Sequence, residues 1–96
     1  MIKEIRVKAK EIIAENGVEF SKMYSEKREK GKRTLKFYNL RYKNGASMLA
    51  AQTIAAQLQE LYKNDVVIKI TTQNSNDIGR LKTYCNAVSL RITAKE

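Results

Sequence analysis

The sequence contains no histidine and only one cysteine, Cys85. Without histidine, the usual zinc ligand sets are missing, and so is the base that most often activates a nucleophilic side chain. One cysteine also excludes a disulfide within the chain, and its place on an apolar helical stripe indicates a small buried hydrophobe. We therefore expect neither a metal nor a cofactor, and no enzymatic activity.

Long apolar runs are also missing. No run approaches the roughly 18 to 20 residues that span a bilayer, and the first residues mix acids with bases instead of leading into a signal-peptide core. With 96 residues, 43% hydrophobic and 30% charged, the composition is typical of a soluble globular protein. We expect a single domain over residues 1–96, located in the cytoplasm and without a membrane partner.

Acidic residues are few, and the excess of bases is concentrated in one segment. The chain has 19 Lys and Arg against 10 Asp and Glu, a formal net charge of +9. Residues 22–43 carry nine of these bases against Glu26 and Glu29, interleaved with aromatic residues. Most of the positive field of the protein therefore comes from KMYSEKREKGKRTLKFYNLRYK.

The first seventeen residues have the periodicity of an amphipathic helix. Apolar residues recur at steps of three and four, and Asn16-Gly17 supplies a stop signal. Alternation of Ile5, Val7 and Ala9 with charged residues leaves a strand as the competing interpretation. The helical stripe, which we prefer, comprises Ile2, Ile5, Ala9, Ile12 and Ile13.

The remaining elements alternate between the two periods. Two β-favouring runs that contain Val18, Phe20 and Tyr24, and then Leu35 and Phe37, flank a charged loop at 27–33 and predict a hairpin. Residues 46–64 predict a helix with a stripe of Ala50, Ala51, Ile54, Leu58, Leu61 and Tyr62. Strands are predicted at 65–72 and 88–94, with a short helix carrying Ile78, Leu81 and Cys85 between them.

The order α-β-β-α-β-α-β predicts an α+β fold: a small mixed four-stranded sheet with helices packed on it. From Thr34 to Ala94 this order resembles the topology of Alba-type nucleic-acid-binding proteins and of the sulfur carriers related to TusA. The sulfur carriers place a Cys-Pro pair at the start of their first helix, where this chain has Asn44-Gly45-Ala46-Ser47. The Alba-like resemblance implies nucleic-acid binding, whereas the missing pair argues against sulfur transfer.

Alternation along the strands predicts that one sheet face is apolar and the other is basic and hydroxylated. The second face would carry Lys36, Tyr38, Val67, Lys69, Thr71, Ser89, Arg91 and Thr93, and the parity of Leu40 and Tyr42 is the same. Two arrangements stay open. Either this face is exposed, or the first helix covers it and makes Tyr38 and Val67 part of the core.

These features predict a small non-enzymatic protein that binds DNA or RNA, with single-stranded or structured nucleic acid slightly favoured. The primary contacts with phosphates are assigned to Lys27, Arg28, Lys30, Lys32 and Arg33. Contacts from an open sheet face are assigned to Lys36, Tyr38, Arg41, Lys69 and Arg91. The alternative is a protein-interaction module, such as a phage or mobile-element accessory inhibitor or adaptor, that docks on an acidic partner. A homodimer is compatible with either hypothesis.

Overall fold

In the part of the chain that the structure describes, two helices combine with a four-stranded sheet, which confirms the predicted α+β class. The computed structural model describes residues 1–42, 47–73 and 87–96. Helix α1 spans Ile2–Glu15, and α2 spans Ser47–Tyr62 and continues into a 3-10 turn at Lys63–Asp65. The strands are β1 Val18–Glu19, β2 Lys22–Lys27, β3 Lys32–Tyr38, β4 Arg41–Tyr42, β5 Val66–Gln73 and β6 Ala87–Lys95. The short helix predicted around Ile78, Leu81 and Cys85 lies outside the described residues.

The sheet has the order β2-β3-β6-β5, and every described pair of neighbouring strands is antiparallel. The sequence predicted a mixed sheet because strands joined through helices are usually parallel. Strands β3 and β5, which flank α2 in the chain, do run in the same direction, since both are antiparallel to β6. Strand β6 lies between β3 and β5, so these two parallel strands are not hydrogen-bonded to each other.

Helix α1 forms as its periodicity predicts. Its buried residues are the five members of the predicted stripe, Ile2, Ile5, Ala9, Ile12 and Ile13. At the carboxyl end, Gly17 has φ of 70° and donates its N–H to the carbonyl of Ala14. A left-handed residue just after the last turn is the usual way to end a helix, and glycine adopts it without a steric penalty.

Both helices pack on one side of the sheet. A common core joins Ile5 and Ile13 of α1, Ile54 and Leu58 of α2, and Leu90 of the central strand β6. Helix α1 also contacts α2 and the small ribbon of β1 and β4. Within the described residues, neither helix has the length and apolarity required to cross a membrane.

Helix α2 buries a narrower stripe than the sequence predicted. Ala51, Ile54 and Leu58 are buried, but the side chain of Leu61 is 51% exposed. The prediction for Leu61 was wrong because an α-helical face that starts at Ala51 continues through Leu58 to Tyr62, which is half-buried. Leu61 lies at the edge of this face, beside α1.

A left-handed residue, Asn39 with φ of 55°, interrupts the regular strand after Tyr38. The following residue, Leu40, is buried in the core and donates its N–H to the carbonyl of Val88. Its predicted place on the basic face was wrong, because the turn at Asn39 resets the alternation. Arg41 then belongs to β4, which pairs with β1 and stands outside the four-stranded sheet.

Candidate nucleic-acid interface

The sheet face turned away from the helices carries three cationic side chains in a row. The register places Lys36 of β3 opposite Arg91 of β6, and Arg91 opposite Lys69 of β5. Residues directly opposite each other project from the same face, about 4.5–5.5 Å apart at Cβ. We call Lys36, Arg91 and Lys69 the cation row. Lys69 and Arg91 form no ion pair with any residue in the described ranges.

The face that carries the cation row is open, which decides between the two arrangements left by the sequence. Val67 is 56% exposed and Tyr24 is 52% exposed, although both are large and apolar or aromatic. Helix α1 lies on the opposite side of the sheet, where its apolar stripe is part of the common core. No part of the two described helices therefore covers this surface. The open face comprises Lys22, Tyr24, Glu26, Lys32, Thr34, Lys36, Tyr38, Val67, Lys69, Thr71, Ser89, Arg91, Thr93 and Lys95.

Two tyrosines lie at one side of the open face. Tyr24 projects from the edge strand β2, and its ring centroid is 5.4 Å from that of Tyr38 in an edge-to-face arrangement. The ammonium of Lys22 is 6.0 Å from the Tyr24 centroid. The Tyr24 side chain is 52% exposed, so part of its ring surface is accessible to solvent.

The β2-β3 hairpin turns more tightly than the sequence predicted. Lys32 donates its N–H to the carbonyl of Glu29, and the intervening Lys30 and Gly31 have φ of 59° and 70°. Two successive residues with positive φ are what the central positions of a type I′ turn require. Lys27 lies in β2, and Lys32 and Arg33 lie in β3, instead of in a loop at 27–33.

Pairing in the hairpin divides its cations between the two sides of the sheet. Lys27 is opposite Arg33 on the side of the helices, where Arg33 donates to Ser25 Oγ at 2.9 Å and its Nε is 3.7 Å from a Glu96 carboxylate oxygen. Arg28, in contrast, reaches over the open face and donates from Nε to Thr34 Oγ1 at 3.1 Å. Strand pairing therefore places Lys27 and Arg33 on the side of the sheet opposite to Arg28.

Glu26 is the acid among the residues of the open face. One of its carboxylate oxygens is 2.8 Å from Arg28 Nη2 and 3.1 Å from Lys36 Nζ. The hydrogen bond from Lys36 and the nearby charge of Arg28 lower the pKa of the Glu26 carboxyl below its ordinary value. Glu26 stays ionised at neutral pH and partly neutralises the positive charge of Arg28 and Lys36.

The structure brings together most of the residues that the sequence assigned to the interface. Arg28 joins Lys36, Tyr38, Lys69 and Arg91 on the open face, whereas Arg41 is in the separate ribbon. Around the tip, Lys27, Arg28, Lys30 and Lys32 line a shallow concavity of about 630 Å³ together with Glu29 and Thr93.

Sequence reasoning missed three residues of this surface. Lys95 is opposite Lys32, and the alternation of Arg91 and Thr93 could have identified it if the last strand had been extended by one residue. Lys22 and Tyr24 required the hairpin register, because the break at Ser21 shifts the alternation between Phe20 and Tyr24.

No protein-family model, curated protein or solved structure matches this chain. The Alba-like order of elements therefore stays a prediction from topology alone.

Proposed function

We propose that this is a small non-enzymatic nucleic-acid-binding protein whose open face holds a single strand. The observation that carries the proposal is the cation row, Lys36, Arg91 and Lys69, on three adjacent strands of a sheet face that neither described helix covers. Like charges directly opposite each other destabilise a sheet. A polyanion that lies across the row would neutralise this repulsion and release its own counterions.

The tyrosines offer contacts to bases, in addition to the contacts that the cations offer to phosphates. Exposed aromatic rings beside a basic groove stack on unpaired bases, and each such base contributes about 1–3 kcal/mol. Tyr24 is exposed next to Lys36 in the same register row, so a base on its ring would place the adjoining phosphate near the cation row. This arrangement favours a strand whose bases are free over a closed duplex.

The described helices support the same preference. Helix α2 contains no Lys or Arg between Ser47 and Tyr62, and the bases of α1 are interspersed with Glu4, Glu11 and Glu15. Proteins that read duplex DNA in the major groove usually insert a helix with basic and polar side chains. Neither described helix has that character.

The test is a titration of labelled single-stranded and duplex DNA and RNA, followed by fluorescence anisotropy at several salt concentrations. We compare wild type with a double variant of the cation row, Lys69→Gln with Arg91→Gln. The matched control is Lys3→Gln with Lys10→Gln, which removes the same charge from exposed positions of α1.

Wild type should bind single strands most tightly, with affinity falling as salt rises. The row variant should lose affinity and reduce the slope of log affinity against log salt by about 0.7 for each lost phosphate contact. The control should keep the wild-type slope. Equal losses in both variants would show that net charge, and not the open face, is responsible. Absence of any binding at low salt would refute the proposal and direct the search to an acidic protein partner.

A further inference from the structure

A small pocket lies in the open face at the end next to the hairpin. Its volume is about 260 Å³. This is below the roughly 300–1,000 Å³ of typical small-molecule sites, so it suits one chemical group of a larger ligand. We call it the threonine pocket; it is lined by Arg28, Thr34, Val67, Lys69, Arg91 and Thr93.

The pocket contains the hydroxyl groups of Thr34 and Thr93, which contact each other. Thr34 Oγ1 and Thr93 Oγ1 are 2.7 Å apart, and Thr34 also accepts a hydrogen bond from Arg28 Nε at 3.1 Å. The contact between the two hydroxyls uses one of their two protons, whichever of them donates. Thr34 is only 2% exposed and also accepts from Arg28, so its own proton reaches Thr93, and the proton of the half-buried Thr93 remains for a ligand.

The charges of the pocket match a dianion. The guanidinium of Arg28 is shared with the carboxylate of Glu26, the acid of the open face. Lys69 and Arg91 then supply two further positive charges that no acid within the described residues pairs. A phosphate monoester carries a charge of about −1.5 to −2 at pH 7, whereas a phosphodiester inside a strand carries one negative charge.

We infer that the threonine pocket binds a terminal phosphate monoester of a nucleic-acid strand. The inference rests on the proposed function and adds that the face distinguishes the end of a strand from its interior. The terminal phosphate takes hydrogen bonds from the free threonine proton and from Arg91 and Lys69. The strand then leaves the pocket across the cation row toward Tyr24 and Tyr38.

The direction of this path follows from the spacing of the strands. Thr34, Lys36 and Tyr38 succeed each other on one face of β3, and each step of two residues advances about 6.6 Å. Lys69 and Arg91 of the cation row line the pocket, and Lys36 lies between Thr34 and Tyr38 on β3, so a strand anchored in the pocket passes Lys36 before it reaches the tyrosines. An anchored terminal phosphate would fix the register of the first bases relative to the aromatic rings.

The experiment compares three versions of one internally labelled single-stranded oligonucleotide: with a 5′-phosphate, with a 3′-phosphate and with hydroxyls at both ends. Wild type should bind one phosphorylated version about 10- to 100-fold tighter than the hydroxyl version, the effect of one additional charge-assisted hydrogen bond. The phosphorylated oligonucleotide that binds more tightly identifies which end of the strand is recognised.

Two variants test whether the gain comes from the pocket. Thr93→Val removes a hydroxyl and keeps the β-branched shape, and Arg91→Gln removes a charge; thermal melting confirms that each is folded. Both should reduce the preference for the phosphorylated strand. Thr71→Val, on the same face but outside the pocket, is the matched control and should keep it.

The outcomes separate this inference from the proposed function. If wild type binds all three oligonucleotides equally, the terminal-phosphate inference is wrong and single-strand binding stands. A preference that survives in both pocket variants overturns the pocket as its location. If no oligonucleotide binds, the proposed function fails, and this inference fails with it.

Discussion

The two faces of the four-stranded sheet are made from alternate residues of the same strands, and they differ in almost every other respect. In β6, Val88, Leu90 and Ile92 are buried against the helices, while Ser89 and Arg91 project to the open side. The helix-covered face is held by apolar burial, whereas the open face retains the repulsion of its cation row. The difference teaches that one side of the sheet stabilises the fold and the other is available to a ligand.

The largest expected effect contrasts two adjacent residues of β6. Leu90→Ala should lower the free energy of unfolding by about 2–5 kcal/mol, since Leu90 is fully buried and the substitution leaves a cavity. Arg91→Ala, one residue further along, should lower it by no more than about 0.5 kcal/mol. Urea unfolding of the two variants measures both. Comparable losses of unfolding free energy in the two variants would contradict the conclusion that the helix-covered face, and not the open face, stabilises the fold.

The next effect concerns the hairpin that brings Arg28 onto the open face. Lys30 has φ of 59°, which costs an L-residue about 1–2 kcal/mol and costs glycine little. Lys30→Gly should raise the free energy of unfolding by about 0.5–1 kcal/mol after the greater flexibility of glycine is subtracted. Lys32→Gly removes the same charge from β3 and should instead be destabilising. The prediction is wrong if both variants shift the urea midpoint in the same direction.

A smaller effect tests the cation row directly. Lys69→Gln should stabilise the protein by about 0.2–1 kcal/mol at low salt, because it removes a like charge opposite Arg91. The gain should shrink at high salt, where exposed charges are screened. Lys10→Gln on α1 is the control and should show no such gain. A Lys69→Gln variant that is destabilised at low salt would mean that the row is not repulsive.

The smallest effect is the pH dependence that Glu26 contributes. Since Lys36 and Arg28 lower the pKa of this carboxyl from 4.5, its stabilising contribution is present above that pH and is lost as the pH falls through the lowered pKa. Wild type should therefore exceed Glu26→Gln in stability at neutral pH, and the excess should vanish on acidification. A constant difference over the same range would show that the ion pairs are not the cause.

Glu26→Gln also sharpens the comparison through binding. The substitution frees Arg28 and Lys36 from their carboxylate partner, so nucleic acid should bind more tightly at neutral pH. The slope of log affinity against log salt should steepen by up to about 0.7 for each single-strand phosphate newly contacted. Unchanged affinity in the anisotropy titration would indicate that these two cations do not meet the ligand.

Much of this arrangement follows from local patterns. The period of 3.6 in α1 predicted all five of its buried residues, and the period of two predicted which side of the sheet Lys36, Lys69 and Arg91 occupy. Both patterns are consequences of backbone geometry and need no knowledge of tertiary contacts. The class of the fold and the side of the sheet on which the cation row lies were therefore predictable.

The rest depends on features without a periodic signal. Asn39 adopts a positive φ that turns Leu40 inward and removes Arg41 from the sheet. The alternation of apolar and polar residues does not predict this turn. The insertion of β6 between β3 and β5 is a long-range pairing. The threonine pocket depends on this pairing, together with the turn geometry that places Arg28 over Thr34.

The contact between Glu96 and the hairpin turn has a practical consequence. Glu96 donates its N–H to the carbonyl of Gly31 at 2.9 Å, and its carboxylate lies near Arg33. An affinity tag fused after Glu96 would emerge beside the hairpin tip, where it could compete with a ligand or displace the turn. Fusion ahead of Met1, in the helical layer on the other side of the sheet, leaves that surface untouched. The choice of tag position is thus a variable that every binding assay on this protein should control.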